Sequence, residues 1–297
     1  MRRLACAILA ALSLYQQAAV FADEPSEITF HDDVTYRIVG EQELKLDLAV
    51  PPGDGPFPAI VFVHGGGWIM GNRSRYWYET EEAARRGFVA ATISYRLSRT
   101  GVETPSVDGF PAALEDVKAA IRFLRSNSKE FRIDPKRIGI VGESAGGHLA
   151  LLAGLTQPSD GFEGSPPKNA PSSAVQAVVN VSGATDLAPL WQSSERIRPV
   201  LVILLGGNPQ TESAVYGTAS PVTYARKDAP PILTIHGASD SLVPAQQARR
   251  LDAAVKKAGG RHTLLILPEA GHRLRGDQYR YSLFVTFDFL SKMLRKP

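Results

Sequence analysis

The chain has 297 residues, a length that suits one large α/β domain or two small domains. Hydrophobic residues make up 44% of it and charged residues 21%, so the chain can bury a sizeable core, and disordered and fibrous classes are excluded. The formal net charge of +3 is too small for a protein that binds nucleic acid through its bulk charge.

The first residues have the pattern of an export signal. A short basic start is followed by an apolar run over residues 4–15 and by small residues just before Asp23. Twelve apolar residues in a helix span roughly 18 Å, well short of the ~30 Å hydrocarbon core, which disfavours a membrane anchor. We expect residues 1–22 to be a cleaved signal peptide and residues 23–297 to be a single exported domain, periplasmic or secreted. The only cysteine, Cys6, lies in the signal, so no disulfide is expected afterwards.

Beyond Asp23, short apolar runs alternate with longer stretches at helical spacing, a pattern typical of βαβ units. The predicted strands are Val34–Val39, Leu44–Val50, Ala59–His64, Phe88–Tyr95, Arg137–Val141, Val175–Ser182, Pro231–His236 and His262–Leu267. The predicted helices are Ser74–Arg86, Gly109–Ser128, Ala145–Thr156, Ala245–Ala258 and Gln278–Leu294. The first two strands alternate polar and apolar residues, as an antiparallel hairpin does, whereas the later ones are nearly all apolar. We therefore predict an α/β fold: a doubly wound, mostly parallel sheet of eight strands with helices on both faces.

Two inserts interrupt this rhythm. Residues 157–174 are rich in Pro, Ser and Gly, and residues 186–229 contain only one clear apolar run, Val200–Leu205. In doubly wound sheets such inserts often cover the carboxyl ends of the strands, where ligands bind. The second insert is a candidate roof for a substrate site, with a plain surface loop as the alternative.

The candidate nucleophile is Ser144. The sequence Gly142-Glu143-Ser144-Ala145-Gly146 follows an apolar strand and precedes a helical pattern. In a strand-to-helix turn of this kind the serine backbone is strained, small neighbours are required, and the hydroxyl projects above the sheet. The alternative is a serine that only caps the helix.

A serine nucleophile needs a general base. Active sites of open α/β sheets lie at the carboxyl ends of the strands, which sorts the six histidines by position. His272 follows the last strand by a short loop, whereas His262 opens that strand at the opposite edge. His272 is therefore the predicted base, with His64 and His236 as competitors at strand ends.

The base in turn needs an orienting carboxylate. Asp240 follows the strand Pro231–His236 through a short turn. Asp186, which lies shortly after the preceding strand, is the rival. We prefer Asp240 because its strand is the one immediately before that of His272.

Acyl transfer also requires hydrogen-bond donors for the oxyanion. Consecutive glycines after the strand ending at Val63 expose backbone N–H groups that no Cβ shields. Gly66, Gly67 and the residue after the nucleophile, Ala145, are the predicted donors. A phosphate-binding loop is the alternative, but neither a Gly-Lys-Ser/Thr ending nor a Gly-x-Gly-x-x-Gly spacing occurs here.

Several separated motifs together resemble the α/β-hydrolase superfamily. They are HGGGW at 64–68, SYRL at 94–97, DPKRIGIVGESAGGHLA at 134–150, HGASDSLVP at 236–244 and GH at 271–272. Within the superfamily they are similar to the esterases that include hormone-sensitive-lipase-like enzymes, acetyl esterases and bacterial feruloyl and acetyl-xylan esterases. The resemblance implies a serine hydrolase whose chain order is Ser144, Asp240, His272, acting without cofactor or metal. The segment before Leu44 is too short for the cap of the hormone-sensitive-lipase-like group, which favours the compact esterases.

The expected activity is hydrolysis of carboxylic esters through an acyl-enzyme, with short acyl (acetyl) or feruloyl esters of carbohydrate as the expected substrates. The alternatives are an amide hydrolase similar to kynurenine formamidases and a non-catalytic binding protein on the same scaffold. Glu143 and Trp68 flank the catalytic elements and are candidates for tuning the site or for plain packing. The expected partner is a small or polysaccharide-borne ester, with no nucleic acid and no membrane anchor after cleavage.

Overall fold

A computed structural model describes residues 27–99 and 108–295. The predicted signal peptide, residues 1–22, lies outside these described residues. In the part of the chain that the structure describes, every helix is too short or too polar to cross a membrane.

The described residues form one sheet of eight strands in the order β1-β2-β4-β3-β5-β6-β7-β8. The strands are β1 (Thr29–Val39), β2 (Gln42–Val50), β3 (Phe57–Val63), β4 (Val89–Ile93), β5 (Ile133–Glu143), β6 (Ala177–Val181), β7 (Ile232–Gly237) and β8 (His262–Leu267). β1 and β2 pair antiparallel, β2 is antiparallel to β4, and β3 to β8 are parallel. This confirms the predicted mostly parallel sheet with an antiparallel hairpin at its edge.

Two strands begin four or more residues earlier than their sequence pattern indicates. β1 starts at Thr29 rather than Val34, and its register against β2 shifts between His31 and Val34. The added residues are mostly exposed, so they carry no alternation of polar and apolar side chains. β5 starts at Ile133 rather than Arg137, because residues 134–136, between buried Ile133 and the apolar run, are exposed or half-buried and interrupt the apolar pattern.

Eight α-helices lie among the described residues. They are α1 (Trp77–Arg85), α2 (Ala112–Ser126), α3 (Ala145–Leu155), α4 (Leu187–Ser193), α5 (Arg198–Leu205), α6 (Ser213–Thr218), α7 (Gln246–Lys257) and α8 (Gly276–Leu294). The central strands are buried on both faces. One face of the sheet packs against α2, α3, α7 and the second insert, and the opposite face packs against α1 and α8. The carboxyl ends of β3, β5, β7 and β8 therefore meet at one edge, where the predicted site residues lie.

The two inserts differ in what they contact. Residues 186–229 fold into α4, α5, α6 and short 3-10 turns, and the apolar run Val200–Leu205 forms most of α5. Residues 157–174 instead dock beside α2, where Glu163 accepts hydrogen bonds from Lys118 and Arg122 at 2.6 and 2.5 Å. Only the second insert therefore reaches the carboxyl edge of the sheet near the site.

Candidate active site

Ser144 occupies a strained turn between β5 and α3. Its backbone angles are φ 56° and ψ −120°, a conformation that L residues rarely adopt. A Cβ on Gly142 would come within 2.1 Å of the Gly146 carbonyl oxygen, and one on Gly146 within 2.0 Å of the Val63 carbonyl oxygen. The two glycines are therefore required by close backbone approach, and the turn matches the predicted nucleophile elbow.

The structure brings Ser144, His272 and Asp240 together. The Nδ1 atom of His272 lies 2.8 Å from Asp240 Oδ2, and its Nε2 lies 2.9 Å from Ser144 Oγ. Because an ionised carboxylate only accepts hydrogen bonds, Nδ1 carries the proton and Nε2 is free to accept from the Ser144 hydroxyl. The imidazole is thus held in the tautomer that a general base for Ser144 requires.

Asp240 is buried and fully hydrogen-bonded. Its Oδ1 accepts from the backbone N–H groups of Leu242 and Val243 at 2.9 and 2.8 Å. Burial alone would raise the pKa of Asp240, but its contacts with His236 and His272 outweigh that effect and hold the pKa well below its usual range. Asp240 is therefore a carboxylate at any pH at which the protein would work.

His236 is a second histidine beside this carboxylate. It is wholly buried at the end of β7, with Nε2 at 2.7 Å from the Val243 carbonyl oxygen and 3.3 Å from Asp240 Oδ2. A carbonyl oxygen only accepts, so Nε2 carries a proton. Among the described residues, the Nδ1 atom has no hydrogen-bond partner, as suits an unprotonated nitrogen.

The other candidates lie apart from this triad. Asp186 accepts from Arg250 at 3.2 Å, and its backbone N–H donates to Gln247. His64 is buried, which lowers its pKa, and its Nδ1 contacts the Gly65 carbonyl oxygen at 2.8 Å. His262 bonds Asp252 and Thr234. The geometry thus favours Asp240 over Asp186, and His272 over the competing histidines.

The glycine loop after β3 turns sharply toward Ser144. Gly66 and Gly67 have φ values of 123° and 61°, and the N–H of Met70 closes the loop on the Gly66 carbonyl oxygen at 3.1 Å. A Cβ on Gly66 would lie 2.0 Å from the Met70 carbonyl oxygen. Both glycines and Ala145 line the same cavity as Ser144, and Ala145 is the first residue of α3, where backbone N–H groups have no intrahelical partner. The three predicted oxyanion donors therefore surround one space.

Trp68 ties this loop to the helix behind Ser144. It is buried, and its Nε1–H donates to His148 Nδ1 at 3.1 Å, while His148 Nε2–H donates to the Ala219 carbonyl oxygen at 2.7 Å. Complete burial lowers the pKa of His148 to about 4 and keeps it neutral. The chain of hydrogen bonds links the oxyanion loop, α3 and the second insert, and it places Trp68 in the core at the border of the cavity.

The cavity above Ser144 has a volume of about 560 Å³. Ile197 and Val200 of the second insert form part of its wall, and a Cβ on Gly67 would come within 3.1 Å of Val200 Cγ1. The insert 186–229 therefore covers the candidate site, as predicted if it is a roof over a substrate site rather than a plain surface loop.

Glu143 and Tyr76 each contact a neighbouring side chain. Glu143 pairs with Arg75 at 3.1 Å beside the turn. Tyr76 is buried and stacks on Phe62 with ring centroids 5.1 Å apart, whereas Trp77 and Tyr78 are exposed.

Sequence reasoning missed two features of this site. It treated His236 only as a competitor for the base, although the spacing His236-x-x-x-Asp240 across a turn is a signal that both side chains share one end of a strand. It also gave no partner for His148, because the contact with Trp68 joins residues 80 positions apart.

An eight-stranded doubly wound sheet with a strained Ser elbow and a Ser-His-Asp hydrogen-bond chain defines the α/β-hydrolase class. The comparisons agree. The chain is similar to a truncated carbohydrate esterase from gut microbiota (28% identity, TM-score 0.76, covering 93% of this chain and 99% of that one). It is also similar to the esterase Est2 of Thermogutta terrifontis in a propionate-bound structure (28% identity, TM-score 0.72, covering 92% and 97%).

Residues 46–255 match the family model BD-FAE, and the chain belongs to that family. Among curated proteins it is similar to Esterase LipC of Mycobacterium tuberculosis (strain ATCC 25618 / H37Rv), with 34% identity over 228 residues, 73% of this chain and 53% of LipC. The chain spans about half the length of the curated relatives that it matches.

Proposed function

We propose that this protein is a serine hydrolase of carboxylic esters that acts through an acyl-enzyme on Ser144. The observation that carries the proposal is the continuous hydrogen-bond chain from Asp240 through His272 to the Ser144 hydroxyl, which opens into a cavity. A correctly oriented base next to a strained serine, held by a buried carboxylate, has no evident purpose in a binding protein. The family relatives named as esterases support the same activity.

The geometry gives each group a role in the reaction. The Nε2 atom of His272 takes the Ser144 proton as Oγ attacks the ester carbonyl carbon, and Asp240 stabilises the imidazolium. The N–H groups of Ala145 and of the glycine loop donate to the oxyanion.

The intermediate then collapses in two stages. His272 returns the proton to the departing alcohol oxygen as the carbon–oxygen bond breaks, which leaves the acyl group on Ser144. Water deprotonated by the same imidazole attacks the acyl-enzyme, and the carboxylic acid leaves as Ser144 recovers its proton.

We further propose that the substrates are carbohydrate esters of short acyl groups, acetyl foremost, or of feruloyl groups. We also propose that the enzyme is exported. The gut carbohydrate esterase is similar over nearly its whole length, and Est2 is described as propionate-bound. Val200, which lies against Gly67, and Ile197 form an apolar part of the cavity wall on the side of the predicted oxyanion donors. The predicted export signal agrees with a polymer-borne substrate, which stays outside the cell.

The test is a rate profile over 4-nitrophenyl esters of rising acyl length, together with acetylated xylan, methyl ferulate and N-formylkynurenine. The proposal predicts a maximum at a short acyl group, release of acetate or ferulate from carbohydrate substrates, and loss of all rates in Ser144→Ala. Preferred hydrolysis of the formamide would support the amidase alternative. A protein that hydrolyses none of these compounds would be the binding protein instead.

A further inference from the structure

The cavity above Ser144 is lined by more positive than negative side chains. Its charged lining consists of Arg75, Arg196, Arg273 and Glu143. Arg75 is compensated, because its guanidinium lies 3.1 Å from Glu143 Oε2 and 3.7 Å from Glu79 Oε1. The remaining lining cations are Arg196 and Arg273.

These two arginines have no partner among the residues that the structure describes. Within residues 27–99 and 108–295, neither makes an ion pair, a side-chain hydrogen bond or a stacking contact with an aromatic ring. By contrast Arg198, two residues from Arg196, bonds the Trp191 carbonyl oxygen and lies over the Trp191 ring. The guanidinium groups of Arg196 and Arg273 are therefore available to a ligand.

The two arginines also come from different parts of the site. Arg273 directly follows the proposed base His272, and Arg196 precedes Ile197 in the roof. Both arginines line the cavity that contains Ser144, so an ester bound there occupies a space that both residues border. A guanidinium presents paired N–H donors that match the two oxygens of a carboxylate.

We propose that Arg196 and Arg273 make this enzyme selective for esters that carry a carboxylate, on the acyl part or on a uronic-acid alcohol part. The inference rests on the proposed ester hydrolysis and narrows its substrate class. Both side chains are solvent-exposed, so each attraction is screened, and we expect about a fivefold preference from each arginine.

The experiment uses two matched substrate pairs. One pair compares 4-nitrophenyl hemisuccinate with 4-nitrophenyl valerate, and the other compares the acetyl ester of methyl galacturonoside with that of methyl galactoside. The measured quantity is the ratio of kcat/KM between the charged and the neutral ester. The variants are Arg196→Gln, Arg273→Gln and the double variant, with Arg280→Gln as the matched control because Arg280 pairs with Asp277 on α8.

The inference predicts that the wild-type ratio favours the charged ester in at least one pair, and the pair that shows it identifies the part carrying the carboxylate. The ratio should fall about fivefold in each single variant and further in the double variant, stay unchanged in Arg280→Gln, and shrink in roughly 0.5 M salt. Hydrolysis of neutral esters with no preference in either pair would overturn the inference and leave the proposed function standing, as would a preference that survives in the double variant. Failure to hydrolyse any ester would overturn the proposed function itself and this inference with it.

Discussion

The Nε2 atom of His236 lies 3.3 Å from Asp240 Oδ2, the same oxygen that accepts the Nδ1–H of His272 at 2.8 Å. The carboxylate is therefore fixed from three directions, by the backbone of the turn, by the base and by a second imidazole. His236 also holds the Val243 carbonyl oxygen at 2.7 Å, which ties the end of β7 to the turn that carries Asp240.

This arrangement predicts that His236→Phe lowers kcat by about 10- to 100-fold with little change in KM. The variant loses the N–H contact with the Asp240 carboxylate, and a hydrogen bond to a charged group is worth roughly 1.5–3 kcal/mol. His236→Gln restores an N–H donor and should recover part of kcat. Steady-state kinetics on a short-chain nitrophenyl ester measure both parameters. The control is His262→Phe, which removes another buried imidazole from the sheet, outside the site. Equal kcat values for the two phenylalanine variants would contradict a positioning role for His236.

Asp240→Asn should lower kcat by roughly four orders of magnitude, the size of effect that the same change has in another Ser-His-Asp enzyme. The amide can donate to His272 Nδ1 and so favours the wrong tautomer. Asp186→Asn should leave kcat/KM near the wild-type value, since Asp186 pairs with Arg250 instead. If Asp186→Asn lowers kcat/KM strongly and Asp240→Asn does not, the assignment of Asp240 as the carboxylate of the triad is wrong.

Gly146→Ala should prevent folding or lower the free energy of unfolding by about 3 kcal/mol or more, because its Cβ would lie 2.0 Å from the Val63 carbonyl oxygen. Gly217→Ala is the matched control in helix α6, where a Cβ has no neighbour within 4 Å. There the substitution should raise stability by up to about 1 kcal/mol through helix propensity. Urea unfolding followed by circular dichroism measures both, and equal stability of the two variants would show that the elbow is not as tightly packed as described.

The neutral state of His148 predicts a loss of stability in acid. Its pKa is about 4 in the folded protein against 6.5 for an unperturbed histidine, so the unfolded chain binds the proton first as the pH falls. Between pH 7 and pH 4.5 this group alone should lower the free energy of unfolding by about 2 to 3 kcal/mol.

His148→Gln can accept from Trp68 and donate to Ala219 without titrating. The loss of unfolding free energy between pH 7 and pH 4.5 should therefore be about 2 to 3 kcal/mol smaller in this variant than in the wild-type protein. The same pH dependence in both proteins would show that His148 is not the group responsible.

Much of this site can be predicted from the sequence because one rule assigns its residues to the same edge of the sheet. In an open α/β sheet, parallel strands end at one edge, so a residue just after an apolar strand can be assigned to that edge. Ser144, Asp240 and His272 all satisfy the rule, and the structure brings their side chains within hydrogen-bond distance of one another.

What the sequence could not provide depends on the path of irregular segments. To predict the wall formed by Ile197 and Val200, one must know how residues 186–229 fold back over the glycine loop. Their helices are short and leave only a weak periodic pattern in the sequence. The contact of His236 with Asp240 depends on a turn that reverses direction within four residues. The pairing of Trp68 with His148 joins distant positions that no local pattern connects.

The most direct test of the central claim is the fate of the acyl group. Rapid mixing with 4-nitrophenyl acetate, acid quenching and peptide mass mapping measure both the burst of nitrophenol and the site of acetylation. The account predicts a burst of about one equivalent with the acetyl group on Ser144, and neither in Ser144→Ala. An acetyl group on another residue, or a burst that survives in Ser144→Ala, would contradict it.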